Sequence, residues 1–533
     1  MRSLAGTWSL VRLALRVDRV RLIVWVVAIV GVVVVFAGAI GELYPDEMSR
    51  RQLGASVAAN PAFGAMLGPL QDPLSVGGLV TWRMSFFQMV LVPLMALQAV
   101  TRHTRAEEEA GRLDLVGSTV VGHRAPLTAA LIVSIAASLL VGTLVAASLV
   151  VQGEAVVGAI ALGAVYAGAG VMFAAIAAIT AQLTETARGA NGVAGAVLGI
   201  AFLVRGVADG AGEAGPTWLR WLSPVGWTTE VRPFAGERWW VFAVMAALVV
   251  VATGVAYVLV ERRDIGSGLL PARLGPPEAA GWLASPFALA WRLQRSTLAW
   301  WTLGVFVTGL VYGFVAESVA DLIDDVPGAA EMLERLGGAE VLSDAFIAAT
   351  MGILGLIVAV YAISTLLRAR TEEAGVRAEP VLATRVTRTA WLAGHVVVAV
   401  AGSVWLMAVG GAGEGLAYGL QIGDLGQAPR LAAAAQAQVP AILVVAGLTI
   451  ALFGLVPRLV VLAWGALVAF LVLGQLGPAL QLDQWALNLS PFTHAPQVPA
   501  EPLTAPPVLA LLAVAVALAC AGFVGFRRRD VGR

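Results

Sequence analysis

The chain contains no lysine, and all 34 of its basic residues are arginine. A phosphate-cradling loop of the form GxxxxGK[ST] needs its lysine to reach the terminal phosphates of a nucleotide, so this chain is expected to bind neither ATP nor its magnesium. Cysteine is nearly absent as well. The single Cys520 excludes an intramolecular disulfide and a zinc-binding cysteine cluster. The four histidines, His103, His123, His395 and His494, are scattered without HExxH or comparable spacing, and no metal site is expected. Charge is scarce: 13% of residues are charged, against about a quarter in a soluble domain. The formal net charge is zero, and no nucleic acid is expected as a partner.

What is abundant is apolar. Hydrophobic residues make up 59% of the 533, and mean hydropathy is +0.85. Runs of about 20 apolar residues cross a hydrocarbon core of roughly 30 Å as helices. Twelve stretches qualify, near 22–40, 77–100, 126–151, 155–181, 191–207, 239–260, 298–316, 346–367, 391–411, 435–456, 459–478 and 507–526. The fold class this predicts is an all-α polytopic membrane protein of about twelve transmembrane helices. Arg12, Arg16, Arg19 and Arg21 precede the first run and Ala37-Gly38-Ala39 follows it, which also describes a cleaved signal peptide. Its length, and the return of a similar stretch in mid-chain, favour a retained span.

Arginine placement orients the spans, because positively charged flanks stay on the cytosolic side. With the N-terminus inside, the cytosolic segments hold 25 of the 34 arginines and the outer segments seven. Both termini are then cytosolic. Arg83 and Arg205 fall within predicted spans.

Short matches recur at nearly one period. EEAG at Glu108–Gly111 returns at Glu372–Gly375, LSP at Leu222–Pro224 returns at Leu489–Pro491, and RRDIG at Arg262–Gly266 returns as RRDVG at Arg528–Gly532, with offsets of 264, 267 and 266 residues. Arg16, Arg19, Leu22 and Trp25 likewise match Arg292, Arg295, Leu298 and Trp301. Two six-span halves in tandem are expected, 1–266 and 267–533. Six is even, so the halves are parallel pseudo-repeats with a pathway expected between them.

Each half is expected to open with an amphipathic surface helix. In the first half this is 1–21, where Leu4, Trp8, Val11 and Leu15 share a face apart from Arg12, Arg16 and Arg19, with spans within 22–260. The second covers about 283–297, ahead of spans within 298–526. Between spans 2 and 3 lie cytosolic stretches of mixed charge, TRAEEEAGRLDL from Thr104 to Leu115 and ARTEEAGVRAEP from Ala369 to Pro380. Their duplication suggests docking elements for a cytosolic partner present in two copies, although a charge run is ordinarily a solvated face. Before spans 6 and 12, Pro-rich segments suit helices that cap an exit path; the tryptophans of the first, Trp218, Trp221, Trp227, Trp239 and Trp240, fit interfacial anchors.

Charges inside spans are costly and mark function by default. Arg83 and Arg205, with Gln88 on span 2, are therefore candidate substrate-pathway residues; Gln88 and Gln98, ten residues apart, suit either a polar stripe or, more simply, interhelical hydrogen bonds. No in-span glutamate, buried acid ladder or Asp–His pair of a proton relay is legible. An outer loop with Asp321, Asp324 and Asp325 is the one feature that suits a membrane enzyme.

TRAEEEAGRLDLVGSTVVG, LSPVGWTTEVRPFAGERWW and RRDIG together resemble the actinobacterial ATP-binding-cassette permeases of the polyketide-antibiotic, tetronasin-type exporter family, and the resemblance covers essentially the whole chain. It implies the type-2 exporter fold in the plasma membrane, export of hydrophobic or amphiphilic compounds, and two separate ATPase subunits that carry ATP and magnesium. It further implies coupling segments containing Arg105, Glu107, Glu108, Glu109, Arg112 and Asp114 in the first half. Their counterparts in the second are Arg370, Glu372, Glu373, Arg377 and Glu379, and Glu185, Arg188 and Arg458 make secondary contacts in the turns. The second half departs from the pattern, since its LSP lacks the following GW and its coupling stretch ends in Pro380. Twelve spans in two parallel halves also suit a secondary transporter, which would need in-span coupling charges.

Overall fold

A computed structural model describes residues 2–59, 64, 67–113, 120–210, 216–264, 266–270, 277–324, 339–476 and 483–530. Among them there is no strand. Ten helices are long and apolar enough to cross a membrane, and the bent pair Val76–Arg83 and Phe87–Glu109 makes an eleventh. Leu462–Leu476 is a shorter apolar helix. All twelve apolar runs of the sequence fall on these elements. In lipid every backbone polar group must find its partner within the segment, which leaves helices as the way for such runs to span.

The chain divides into two compact units, Met1–Gly275 and Pro276–Arg533. In the first, α1 (Thr7–Leu43) is followed by α2 (Glu47–Ala59) and α3 (Val76–Arg83). A π-helical turn, Phe87–Leu91, leads into α4 (Val92–His103), and the short α5 (Arg105–Glu109) follows. Then come α6 (Ala125–Val151), α7 (Val156–Leu183), α8 (Ala187–Gly210), α9 (Pro224–Glu230) and α10 (Val241–Glu261). The second unit contains α11 (Pro286–Asp324), α12 (Ala339–Ala374), α13 (Ala378–Leu382) and α14 (Arg388–Ile422). It continues with α15 (Gln427–Ala434), α16 (Val439–Leu455), α17 (Leu462–Leu476), α18 (Gln484–Leu487) and α19 (Ala505–Arg528).

The ends of these helices follow local chemistry. Pro126, Pro440 and Pro506 sit in the first turns of α6, α16 and α19, where a missing N–H costs nothing. The Thr387 hydroxyl caps α14 by accepting from the Ala390 N–H at 3.2 Å. At the other end Gly423 takes the left-handed conformation, φ 76°, and stops it.

The separate surface helices expected at 1–21 and 283–297 are not there. α1 and α11 run unbroken from the arginine-rich stretch into the apolar one. Neither stretch has a glycine or proline at the junction, so the hydrogen-bond ladder has no reason to stop.

Small residues set the packing, as in membrane helices generally. A Cβ on Gly142 of α6 would lie 2.2 Å from the Gly163 carbonyl of α7, and one on Gly163 would lie 2.3 Å from the Gly142 carbonyl. In the second unit, a Cβ on Gly309 would be 2.2 Å from the Gly410 carbonyl, and one on Gly313 would be 2.1 Å from that of Glu414. These α6–α7 and α11–α14 seams leave no room for a side chain. Val141, Leu162 and Tyr166 in the first unit, and Leu354, Tyr361 and Leu406 in the second, are fully buried around them.

Candidate functional site

The charged stretch after α4 folds back on the helix ends of its own unit. Arg105 is completely buried and donates to the Ala181 carbonyl from Nε and Nη2, at 2.9 and 2.6 Å. Its Nη1 donates to Glu108 Oε2 at 2.7 Å. Arg263, just beyond α10, reaches the same carboxylate, with Nη2 to Oε1 at 2.5 Å and Nη1 to Oε2 at 2.9 Å. Its Nε also donates to Gln182 Oε1 at 2.6 Å. A bidentate guanidinium–carboxylate pair is among the strongest side-chain hydrogen bonds, and both partners here are more than nine-tenths buried. A cleft of about 160 Å³ lies against this pair, with His123 and Leu127 in its wall.

The second unit repeats the arrangement. Arg529 donates to both oxygens of Glu373, at 2.6 and 2.7 Å, and Arg370 Nη1 lies 3.7 Å from Glu373 Oε2. The Arg529 guanidinium sits over the Phe453 and Phe526 rings, 5.0 and 4.9 Å from their centroids.

An outer pair flanks each cluster. Arg112 donates to Glu107 at 2.5 and 2.8 Å, and Arg377 donates to Glu372 at 2.9 Å. The Glu107 carboxylate holds the exposed Arg112 guanidinium above its ordinary range. Arg368 adds a second contact to Glu372 at 2.7 Å.

These contacts correct the register of the repeat. The letters EEAG match at an offset of 264, but Arg105, Glu107, Glu108 and Arg112 correspond in contact to Arg370, Glu372, Glu373 and Arg377, an offset of 265. The backbone agrees. The left-handed residue that turns the first segment is Gly111, φ 68°, and its counterpart is Val376, φ 59°, rather than Gly375. The N–H of Gly111 bonds the Glu108 carbonyl at 2.9 Å, and that of Val376 bonds the Glu373 carbonyl at 3.0 Å.

Other predicted site residues lie outside these pairs. Glu109 Oε2 accepts from the Ala187 N–H at 3.0 Å and so joins the segment to α8. Glu185 is half-buried in the turn before α8, and Arg188, Glu379 and Arg458 are exposed. Asp114 and Asp325 lie outside the described residues, as do the side chains of Asp321 and Asp324.

The three candidate pathway residues have different surroundings. Arg83 is exposed and stacks against Trp82, 6.0 Å from its centroid. Gln88 is buried in the π-helical turn, and its Oε1 has no hydrogen-bond partner among the described residues. Arg205 is fully buried and pairs with Asp209 one turn on, at 3.2 Å. Asp209 also receives Arg220, which approaches Glu230, itself held by Arg238 at 2.8 Å. Gln98 accepts from Arg21 at 3.0 Å.

Two acid groups contradict the sequence expectation. Asp18 of α1 is buried, with Arg102 Nε at 2.7 Å and His103 Nε2 at 2.9 Å, so an Asp–His pair exists. Glu414 is completely buried within α14; its Oε1 accepts from Thr350 Oγ1 at 2.5 Å, and its Oε2 has no hydrogen-bond partner among the described residues. The glycines around it pass for a loop. They are close-packing positions, since a Cβ on Gly415 would lie 2.3 Å from the Gln427 carbonyl.

An all-helical chain with these spans, and with ion-paired segments at the helix ends of each unit, is a polytopic membrane protein. The sequence profile described as multidrug efflux system permease Rv1217c, C-terminal domain, matches residues 9–259 and 283–527, one stretch in each unit. The chain is also 42% identical over 528 residues to the multidrug efflux system permease protein Rv1217c of Mycobacterium tuberculosis, across 99% of this chain and 95% of that protein. It belongs to the multidrug efflux permease family.

Proposed function

We propose that the chain is the membrane-spanning permease of an ATP-driven exporter in the bacterial plasma membrane, with both termini cytosolic. Two copies of an ATP-binding-cassette subunit dock beneath its two parallel six-span halves. Those subunits bind ATP and magnesium, and alternating access carries hydrophobic or amphiphilic compounds outward, drugs or polyketide antibiotics among them. The single observation that carries this reading is the duplicated Arg–Glu cluster. A solvated loop has no need of a buried ionic scaffold, whereas a docking segment must keep its shape while a partner pushes on it.

The cluster also divides labour among the residues. Glu108 and Glu373 hold the segments in shape, and Arg112, Arg188, Arg377, Glu379 and Arg458 face outward for the partner. The test is purification of the tagged permease from its native host. A nucleotide-binding subunit should come with it, and ATPase activity should require that subunit. Saturable labelling of the isolated permease by a photoreactive ATP analogue would defeat the proposal.

Glu414 favours a second reading, a proton-coupled secondary transporter, because a buried carboxylate with one free oxygen is what proton coupling uses. Efflux in vesicles separates the two. Export driven by a pH gradient without ATP, and abolished by Glu414→Gln, would establish the second reading over the first.

A further inference from the structure

We propose that a groove on the second unit, between α11 and α14, binds one anionic phospholipid, with its phosphate on Arg295 and its acyl chains along the apolar walls. The groove has a volume of about 730 Å³, within the roughly 300–1,000 Å³ of ligand clefts. Its walls include Trp291, Leu298, Val397, Ala401 and Trp405. Only two side chains in the lining are polar. Thr302 already accepts from Trp405 Nε1 at 3.0 Å, which leaves Arg295.

Arg295 is exposed and has no ion-pair partner among the described residues. No acid is available from the walls: α11 carries none before Glu317, and α14 carries none before Glu414. A guanidinium without a counter-charge at the mouth of an apolar groove is complemented by an anion that comes with its own hydrocarbon. Side chains on a helix lean toward its N-terminus, so the guanidinium lies toward Trp291 and the stretch from Leu298 to Trp405 stays apolar. Exposed tryptophan at that end suits the headgroup level. A neutral hydrophobic compound would leave Arg295 unpaired, and an apolar partner helix would bury it. The charge pattern matches a phosphate followed by acyl chains. The proposal depends on the chain lying in a membrane and is independent of ATP coupling.

The test is native mass spectrometry of the full chain in a neutral detergent, titrated with phosphatidylglycerol or phosphatidylcholine. Wild-type protein should retain one phosphatidylglycerol in preference to phosphatidylcholine. Arg295→Gln should bind it roughly tenfold more weakly, Arg295→Lys should recover part of the loss, and Ala401→Trp, which fills the trough from an exposed position, should remove it. Ala299→Trp on the facing helix repeats the block should the first tryptophan disturb packing, and unchanged unfolding midpoints certify the variants. Equal retention of the two lipids by wild type, or undiminished phosphatidylglycerol in Arg295→Gln and both tryptophan variants, would overturn the proposal. So would loss of a neutral hydrophobic dye from the tryptophan variants with lipid retention intact, which would assign the groove to exported compounds.

Discussion

Arg263 grips Glu108 through two hydrogen bonds of 2.5 and 2.9 Å across 155 residues of sequence. Arg529 grips Glu373 in the same way in the other unit. In each case the residue just past the last span fixes the segment that follows the second.

Removing a buried carboxylate that two guanidinium groups share leaves both without their counter-charge, at a cost of about 3–5 kcal/mol. Glu108→Gln should therefore lower the unfolding midpoint of the purified permease markedly, because Arg105 and Arg263 both lose their acid. Arg263→Gln should cost less, since Glu108 keeps Arg105. A Glu108→Gln variant as stable as wild type would mean that the cluster contributes nothing to the fold.

The outer pair of the first unit predicts the opposite behaviour. Exposed ion pairs contribute about 0–1 kcal/mol, and Arg112 and Glu107 both reach solvent, so Arg112→Gln should leave insertion and thermal stability nearly unchanged. If a partner docks on this face, the same variant should lose substrate-stimulated ATPase activity in the reconstituted complex. Wild-type coupling would place docking elsewhere.

Val376 offers a test of the corrected register. A β-branched residue in the left-handed region is strained, by about 1–3 kcal/mol. Its side chain is 57% exposed, so little packing is lost on removing it. Val376→Gly should raise the unfolding midpoint, and Gly111→Val should lower it, although a Cβ at Gly111 would meet nothing within 4 Å. Equal midpoints for all three proteins would remove the strain argument.

The α11–α14 seam should tolerate no bulk at Gly309. Overpacking ordinarily costs about 1–3 kcal/mol, and here the obstacle is a backbone carbonyl that no rotamer can relieve. Gly309→Val should yield little monodisperse protein in size-exclusion chromatography. Gly304, with nothing within 4 Å of its Cβ position, should accept the same change.

Orientation can be read with reporters. A fusion at Ser267 should report the cytosol, and an insertion near Glu213, which lies outside the described residues, should report the outer side. An external signal from Ser267 would break the two-half arrangement.

The spans were legible because a long apolar run has one stable conformation in lipid. Packing and pairing were less so. The surface helices looked separate because an amphipathic stretch reads the same whether it lies flat or extends a span, and only the absent breaker at Arg21–Leu22 tells them apart. The one-residue slip between the two charged segments is invisible in the letters, because contacts rather than identities decide the register. Two repeated ionic motifs, RxEE and RRD, were the available signal that they pair. Arg205 stands out in the sequence by its charge, but Asp209, Arg220 and Glu230 join it through folding. Glu414 is illegible as an in-span acid because a glycine-rich stretch resembles a loop until the neighbouring helix is seen.

The Arg263–Glu108 pair also has an order in time. A ribosome delivers Glu108 long before Arg263, so during synthesis the acid has only Arg105 for company while four further spans are laid into the bilayer. The grip closes only when the last of them has arrived in the right orientation. Each half thus completes its charged segment last, because the bidentate grip on Glu108 or Glu373 exists only once the final helix is in place.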